Sequence, residues 1–260
     1  MLSYQHLYHA GNLADVHKHA LLCVMLNYLT QKDKPVSYIE THAGRGLYDL
    51  AAPEAVKTGE AAQGISVLEP AFAKDHPYRR RLSEVRAQHG PEAYPGSPLL
   101  AALSLRETDT LHLAELHPQE HQMLTRNLLP WGAHIHQADG FQQALALTPP
   151  TPRRGLMLID PSFEVKADYA NIPKHMAALN RKWNVGVIAL WYPLLPNAPH
   201  RAMLEALEQQ FPEALRHEVR FPPVREGHGL VGSGMFIVNP PWGTEAEAKE
   251  LTRIFSGLSR

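Results

Sequence analysis

Asp160-Pro161-Ser162-Phe163 closes the apolar run Leu156-Met157-Leu158-Ile159 and is the most chemically pointed pattern in the chain. A carboxylate, a carbonyl beside proline and an aromatic ring, in that order, can together draw an amine lone pair out of conjugation with a heteroaromatic ring. The carboxylate and the carbonyl accept the two N–H hydrogens, while the ring stacks on the base. Proline stiffens the turn and removes a competing donor. A closer literal match to Asp/Asn-Pro-Pro-aromatic lies at Asn239-Pro240-Pro241-Trp242. Topology favours the first. It follows the fourth expected strand, whereas the second follows the last and reads as a rigid C-terminal turn.

Enzymes that methylate exocyclic amines carry such a motif after their fourth strand; here Ser162 stands where a second proline is usual. Three further short apolar runs also close on an acid, at Glu40, Glu115 and Asp139. In doubly wound sheets, ligands bind outside the carboxyl ends of the strands. Glu115, at the second strand end, is placed to accept hydrogen bonds from vicinal ribose hydroxyls. Gly44 and Gly46 follow the first strand and permit a close backbone approach. Each carboxylate alone reads first as a helix N-cap; four in succession at matching strand ends argue for a site.

The elements that must position these groups alternate. Apolar spacing predicts a helix over 14–31, then strands near 36–39, 111–115, 134–139, 156–160 and 185–191, with helices such as 118–129 and 168–180 between them. That pattern gives an α/β, Rossmann-like and mostly parallel sheet. Residues 216–221 and 235–238 add two closing strands, at least one of them antiparallel. The stretch from Glu40 to Glu115 is far longer than a βαβ link of about 30 residues. Residues 51–95 therefore read as an inserted helical subdomain, with 1–50 and 96–260 forming the main domain.

With 260 residues, 44% hydrophobic and 20% charged, the chain can bury one sizeable core, as a soluble globular enzyme does. No apolar run approaches the roughly 20 residues of a membrane span, and no signal-peptide pattern opens the sequence. The lone cysteine, Cys23, excludes an internal disulfide and fits a cytoplasmic location, its own role being that of a small buried hydrophobe. A net charge of −1 means that any nucleic-acid contact must be local.

Further stretches are shared with a known family. Leu2-Ser3-Tyr4-Gln5-His6, His9-Ala10-Gly11-Asn12, Ala14-Asp15-Val16 and Lys18-His19 open the series. Thr41 to Gly46, Tyr94 to Pro98, Glu115-Leu116-His117-Pro118, Ala138 to Gln143, Leu190-Trp191-Tyr192-Pro193 and Ser233-Gly234-Met235 follow in order. Over nearly its whole length the chain resembles the bacterial 23S ribosomal RNA adenine-N6 methyltransferase J family. The resemblance implies a class I fold that binds S-adenosylmethionine through His19, His42, Ser97, Glu115, Asp139 and Gly140. It implies Asp160 as the catalytic acceptor and RNA contacts at Tyr4, His6 and Lys18 on an N-terminal substrate segment, with Phe163 stacking on the base. The expected partner is 23S rRNA, in a single-stranded or hairpin region with a flipped adenine, met by a monomer without metal or membrane.

Plainer readings compete. Sixteen histidines invite a metal, but His17 and His19, two apart on a helix, cannot share a face; His19 and His42 fit better as donors to a cofactor. Arg79, Arg80 and Arg81 read equally as a solvated helix face or an RNA contact, and Tyr4 alone reads as a packing aromatic. Three other functions stay open: a DNA adenine methyltransferase, a non-catalytic RNA-binding protein and a metal-dependent phosphoesterase.

Overall fold

The computed structural model describes residues 5–223 and 229–259. Seven strands form the main sheet: β1 (Ser37–Glu40), β4 (Thr110–Ala114), β5 (His134–His136), β6 (Gly155–Ile159), β7 (Val187–Leu194), β8 (Leu215–Arg220) and β9 (Gly232–Val238). β2 (Leu47–Asp49) and β3 (Ala93–Pro95) pair separately as an antiparallel ribbon. The main sheet runs β5-β4-β1-β6-β7-β9-β8. β1 pairs in parallel with β4 and β6, β4 with β5, and β6 with β7, while β9 runs antiparallel to both β7 and β8. The expected mostly parallel α/β sheet with an antiparallel C-terminal strand is therefore the one that forms.

Helices cover both faces, so the central strands read as continuous apolar runs and not as alternating ones. Their side chains still alternate between two cores. Leu156 and Leu158 join the cluster beneath the helix Leu13–Leu29, while Met157 and Ile159 join the one beneath the helices Asp168–Lys182 and Arg201–Gln210. Apolar over its C-terminal half and buried over most of its length, the helix Leu13–Leu29 is wedged among the helices Ser97–Ser104, Pro77–His89 and Thr244–Ser256 and against β9. Its N-cap, Asn12, accepts the Asp15 amide at 2.9 Å.

Between β2 and β3 the chain forms four helices, Pro53–Thr58, Glu60–Gln63, Ile65–Leu68 and Pro77–His89. Ile65, Leu68, Phe72, Tyr78, Leu82 and Val85 from this stretch belong to the same core as the helix Leu13–Leu29. The basic run is held within the molecule: Arg79 donates to the Phe72 carbonyl, Arg80 to Asn27 and Arg81 to Glu84. Among the described residues, no helix is long and apolar enough to cross a membrane.

Trp183 is the largest fully buried side chain, and its indole N–H donates to the Arg153 carbonyl. Trp183→Ala is expected to cost about 3–5 kcal/mol through lost contacts and the cavity left behind. Urea denaturation checks this; a loss below about 1 kcal/mol would mean that the second core collapses around the gap.

Candidate active site

The parallel strands bring their carboxyl ends to one edge of the sheet, and the predicted acids arrive there together. Two cavities open at this edge. The larger, about 290 Å³, is lined by Thr41, His42, Gly44, Glu115, Asp139, Gly140 and Asp160. The smaller, about 210 Å³, is lined by Asn12, Lys18, Phe163, Tyr169, Trp191 and Leu230. His6, Asp160, Pro161 and Ser162 line both. A small recess of about 30 Å³ joins His19, Ser97 and Gly44 to Lys18 and Asp160. Asp160 thus stands where all three spaces meet.

Its carboxylate is held from the N-terminal helix. Lys18 Nζ lies 2.6 Å from Asp160 Oδ2 and 3.1 Å from Asp15 Oδ1. Asp15 Oδ2 in turn accepts the Gly11 amide at 2.9 Å and meets His6 Nε2 at 2.8 Å. Burial disfavours the ammonium, but Asp160 and then Asp15 outweigh it and raise the Lys18 pKa well above its ordinary value. Burial also opposes ionisation of Asp15, which His6, Lys18 and His19 together hold well below the usual carboxylate range. The ammonium also sits 5.6 Å from the centre of the Trp191 ring. Only 4% of Lys18 is exposed, so the structure places it beside the carboxylate and not on the surface. Its Asp15 partner went unnoticed in the sequence, although i,i+3 spacing on the helix signals such a pair.

The larger cavity has the groups a ribosyl cofactor needs. Glu115 Oε2 accepts the Gly44 amide at 2.8 Å and Oε1 accepts the His117 amide at 2.7 Å, which locks the carboxylate yet leaves each oxygen a further acceptor site. Burial raises its pKa, partly offset by those two amides. Asp139 caps the helix Gly140–Leu147 through the Gln142 amide at 2.9 Å. A Cβ on Gly140 would lie 1.9 Å from the Thr41 carbonyl oxygen, so only glycine brings this helix start against the β1 loop. His42 bonds Thr41 Oγ1 at 2.7 Å and lies edge-on to Phe141; burial lowers its pKa to about 4, so the ring is neutral.

His19 Nδ1 bonds the Tyr94 hydroxyl at 2.9 Å, while its Nε2 is buried without a hydrogen-bond partner, 3.8 Å from Asp15 Oδ1. Burial lowers this pKa to about 3, so one nitrogen carries a proton and the other does not. With Tyr94 donating to Nδ1, the orphan Nε2–H is a ready donor to a cofactor carboxylate, and its recess is shared with Ser97. Ser97 Oγ donates to Glu40, which the Tyr38 hydroxyl also meets at 2.8 Å. Glu40 is fully buried and turned away from the larger cavity, so of the four strand-end acids it supports the site from beneath.

In the smaller cavity, Phe163 packs against Tyr169 at 4.7 Å between ring centres and against Trp191 at 6.1 Å. Its φ of 57° is a left-handed turn conformation uncommon outside glycine, directly after Ser162. Asn239 follows the antiparallel β9, whose Val238 pairs with Ile188, so it lies at the opposite edge of the sheet and donates to the Asn184 and Gly186 carbonyls. The two motifs are thereby separated. His17 faces Ser233 and His217, on the other side of its helix from the Asp15 cluster. Among the described residues, no three metal-ligating side chains converge. Tyr4 lies outside the described residues.

Counted within the main sheet, the strand order is third, second, first, fourth, fifth, seventh, sixth with the seventh reversed, and acids stand at the carboxyl ends. This is the architecture of a class I S-adenosylmethionine-dependent methyltransferase. The profile of the family described as "Ribosomal RNA large subunit methyltransferase D, RlmJ" matches residues 33–256, and the chain belongs to that family. It is 39% identical over 252 residues to the ribosomal RNA large subunit methyltransferase J of Escherichia coli, covering 95% of this chain and 90% of that one. The protein of the same description from Haemophilus influenzae is 37% identical over 257 residues, covering 96% and 92%. A crystal structure of a Legionella pneumophila protein superposes with a TM-score of 0.86 at 34% identity, covering 96% of this chain and 94% of that one.

Burial raises the Glu40 pKa to about 8, against the hydrogen bonds from Ser97 and Tyr38 that favour its charged form. The folded state therefore holds a proton that the unfolded state releases near its ordinary value. This contribution is complete below about 4.5 and is lost as pH rises through about 8. The stability of the wild type relative to Glu40→Gln should thus fall between pH 5 and 8, by on the order of 1–3 kcal/mol. Urea melts at both pH values measure it, and a constant difference would place an ionised Glu40 in the fold.

Proposed function

We propose that this chain transfers a methyl group from S-adenosylmethionine to the N6 amine of an adenine in 23S ribosomal RNA. One observation carries the reading: Asp160, on the motif that follows the fourth strand of the main sheet, stands at the junction of a cofactor-shaped cavity and an aromatic-walled one. When bound, S-adenosylmethionine supplies an electrophilic methyl carbon. Glu115 accepts the ribose hydroxyls, Asp139 and Gly140 hold the adenine end, His42 contributes to the cavity wall, and the His19 Nε2–H and Ser97 meet the amino-acid end.

The acceptor adenine leaves its stack, which costs a few kcal/mol, and enters the cavity walled by Phe163, Tyr169 and Trp191, where stacking on an aromatic ring offsets part of that cost. A single-stranded or hairpin region with one adenine flipped out suits such a pocket, and one monomer provides all of it. Asp160 accepts one N6 hydrogen and a backbone carbonyl of the Asp160-Pro161-Ser162-Phe163 turn accepts the other, which pulls the lone pair out of the ring. Lys18 occupies Asp160 Oδ2 and leaves Oδ1 for the amine. No strong base is needed, because the amine proton becomes acidic only as the new N–C bond forms. Lys18 accordingly serves the carboxylate before it serves any phosphate. His6 lines both cavities, so RNA entering at their shared mouth meets it, and Tyr4 is assigned to the same RNA contact by the family resemblance alone.

Asp160→Ala and Glu115→Ala should fail in opposite ways. Asp160→Ala is expected to lower kcat by at least about 100-fold with S-adenosylmethionine affinity nearly unchanged. Glu115→Ala should weaken that affinity at least about tenfold. Tritiated methyl transfer to large-subunit rRNA and to DNA, with calorimetry of cofactor binding, reads both. Near-normal turnover in Asp160→Ala would overturn the assignment, and transfer to DNA in preference to RNA would overturn the substrate.

A further inference from the structure

Trp191 walls the acceptor cavity, and its indole N–H is spoken for. Nε1 donates to Ser233 Oγ at 2.9 Å. Ser233 is fully buried on β9 and also lies 2.8 Å from His17 Nδ1. His17 Nε2 is 2.9 Å from His217 Nδ1, and His217 Nε2 is 2.9 Å from Thr252 Oγ1. Thr252, exposed on the C-terminal helix, donates to the Ala248 carbonyl at 3.1 Å. Five side chains thus connect the outer surface to the cavity wall.

Donor counting gives this chain a direction. An indole N–H can only donate, so Ser233 accepts from Trp191. The serine has one proton, and its one remaining partner is His17 Nδ1, which must then be the bare nitrogen of a neutral ring. His17 donates through Nε2 to His217, His217 through its own Nε2 to Thr252, and Thr252 to a backbone carbonyl. Every side chain after Trp191 accepts once and donates once. In the reverse order the buried Ser233 proton has no acceptor, and leaving a buried donor unsatisfied is unfavourable. Burial, and then His217, hold the His17 pKa well below its ordinary value, which keeps the ring neutral.

We propose that Ser233, His17, His217 and Thr252 are positioning residues that set the Trp191 indole for the acceptor base. The inference rests on the methyl-transfer reading above. The indole carries the Lys18 ammonium near its face and Phe163 at its edge, so its tilt sets both the width of the base slot and the surroundings of the ion pair on Asp160. None of the four residues lines either cavity.

The test combines a spectrum with a mutant cycle. The side-chain ¹H–¹⁵N signal of Trp191, identified by its loss in Trp191→Phe, should move in Ser233→Ala. The KM for RNA should rise about five- to tenfold in Ser233→Ala while S-adenosylmethionine affinity is unchanged. Trp191→Phe should show a similar rise, and Ser233→Ala should add nothing in the Trp191→Phe background. Ser233→Thr, which keeps the hydroxyl, should restore KM. Should Ser233→Ala not fold, Thr252→Val at the exposed end carries the test: a displaced Trp191 signal supports the relay and an unmoved one overturns it. Multiplying KM effects in the double mutant, or an unmoved indole in folded Ser233→Ala, would overturn it equally. A wild type that moves no methyl to RNA would instead defeat the functional reading and leave the spectral test standing.

Discussion

Burying an ammonium costs several kcal/mol unless carboxylates meet it, and Lys18 lies between two. That ion triad is the constraint from which the rest of the site follows. Asp160 comes from the end of β6 and Asp15 from the N-terminal helix, so neither element can shift without leaving a buried charge unpaired. His6 extends the same network from Asp15 into the N-terminal segment. The helix that the triad fastens is buried over most of its surface, because three helices and a strand surround it.

A carboxylate fixed in this way can accept a hydrogen bond without reorganising. One oxygen is committed to Lys18, the other is available, and both cavities reach the residue. The larger is lined by locked acceptors and the neutral His42 ring, the smaller by aromatic rings. Charge is thereby concentrated at one point between a polar pocket and a stacking pocket, as transfer of a cationic methyl group to a neutral base requires. The basic run makes its hydrogen bonds within the molecule, Arg79 to the Phe72 carbonyl, Arg80 to Asn27 and Arg81 to Glu84.

Much of this was legible from residue order. Acids closing successive apolar runs marked the strand ends, and those runs were strong because helices bury both faces of the sheet. Asp160-Pro161-Ser162-Phe163 could be ranked above Asn239-Pro240-Pro241-Trp242 by position, and the reversed β9 supplies the physical reason: its end lies at the other edge of the sheet. What stayed hidden depends on side-chain direction. The resemblance gives Lys18 as an RNA contact, but its place beside Asp160 was hidden because sequence does not say which helix faces are covered. Glu40 looked like its three counterparts, yet Tyr38 and Ser97 draw it beneath the site. His17 suggested a metal ligand, whereas its partners Ser233 and His217 lie about two hundred positions away, a contact that no local spacing announces.

If Asp160 directs the methyl group to an exocyclic amine, the product identifies it. Mass analysis of nucleosides from large-subunit rRNA, methylated by this protein and digested to completion, should give N6-methyladenosine as the sole new product, at one methyl per RNA molecule at saturation. A methyl group on a ring nitrogen, on a ribose oxygen or on another base would contradict it.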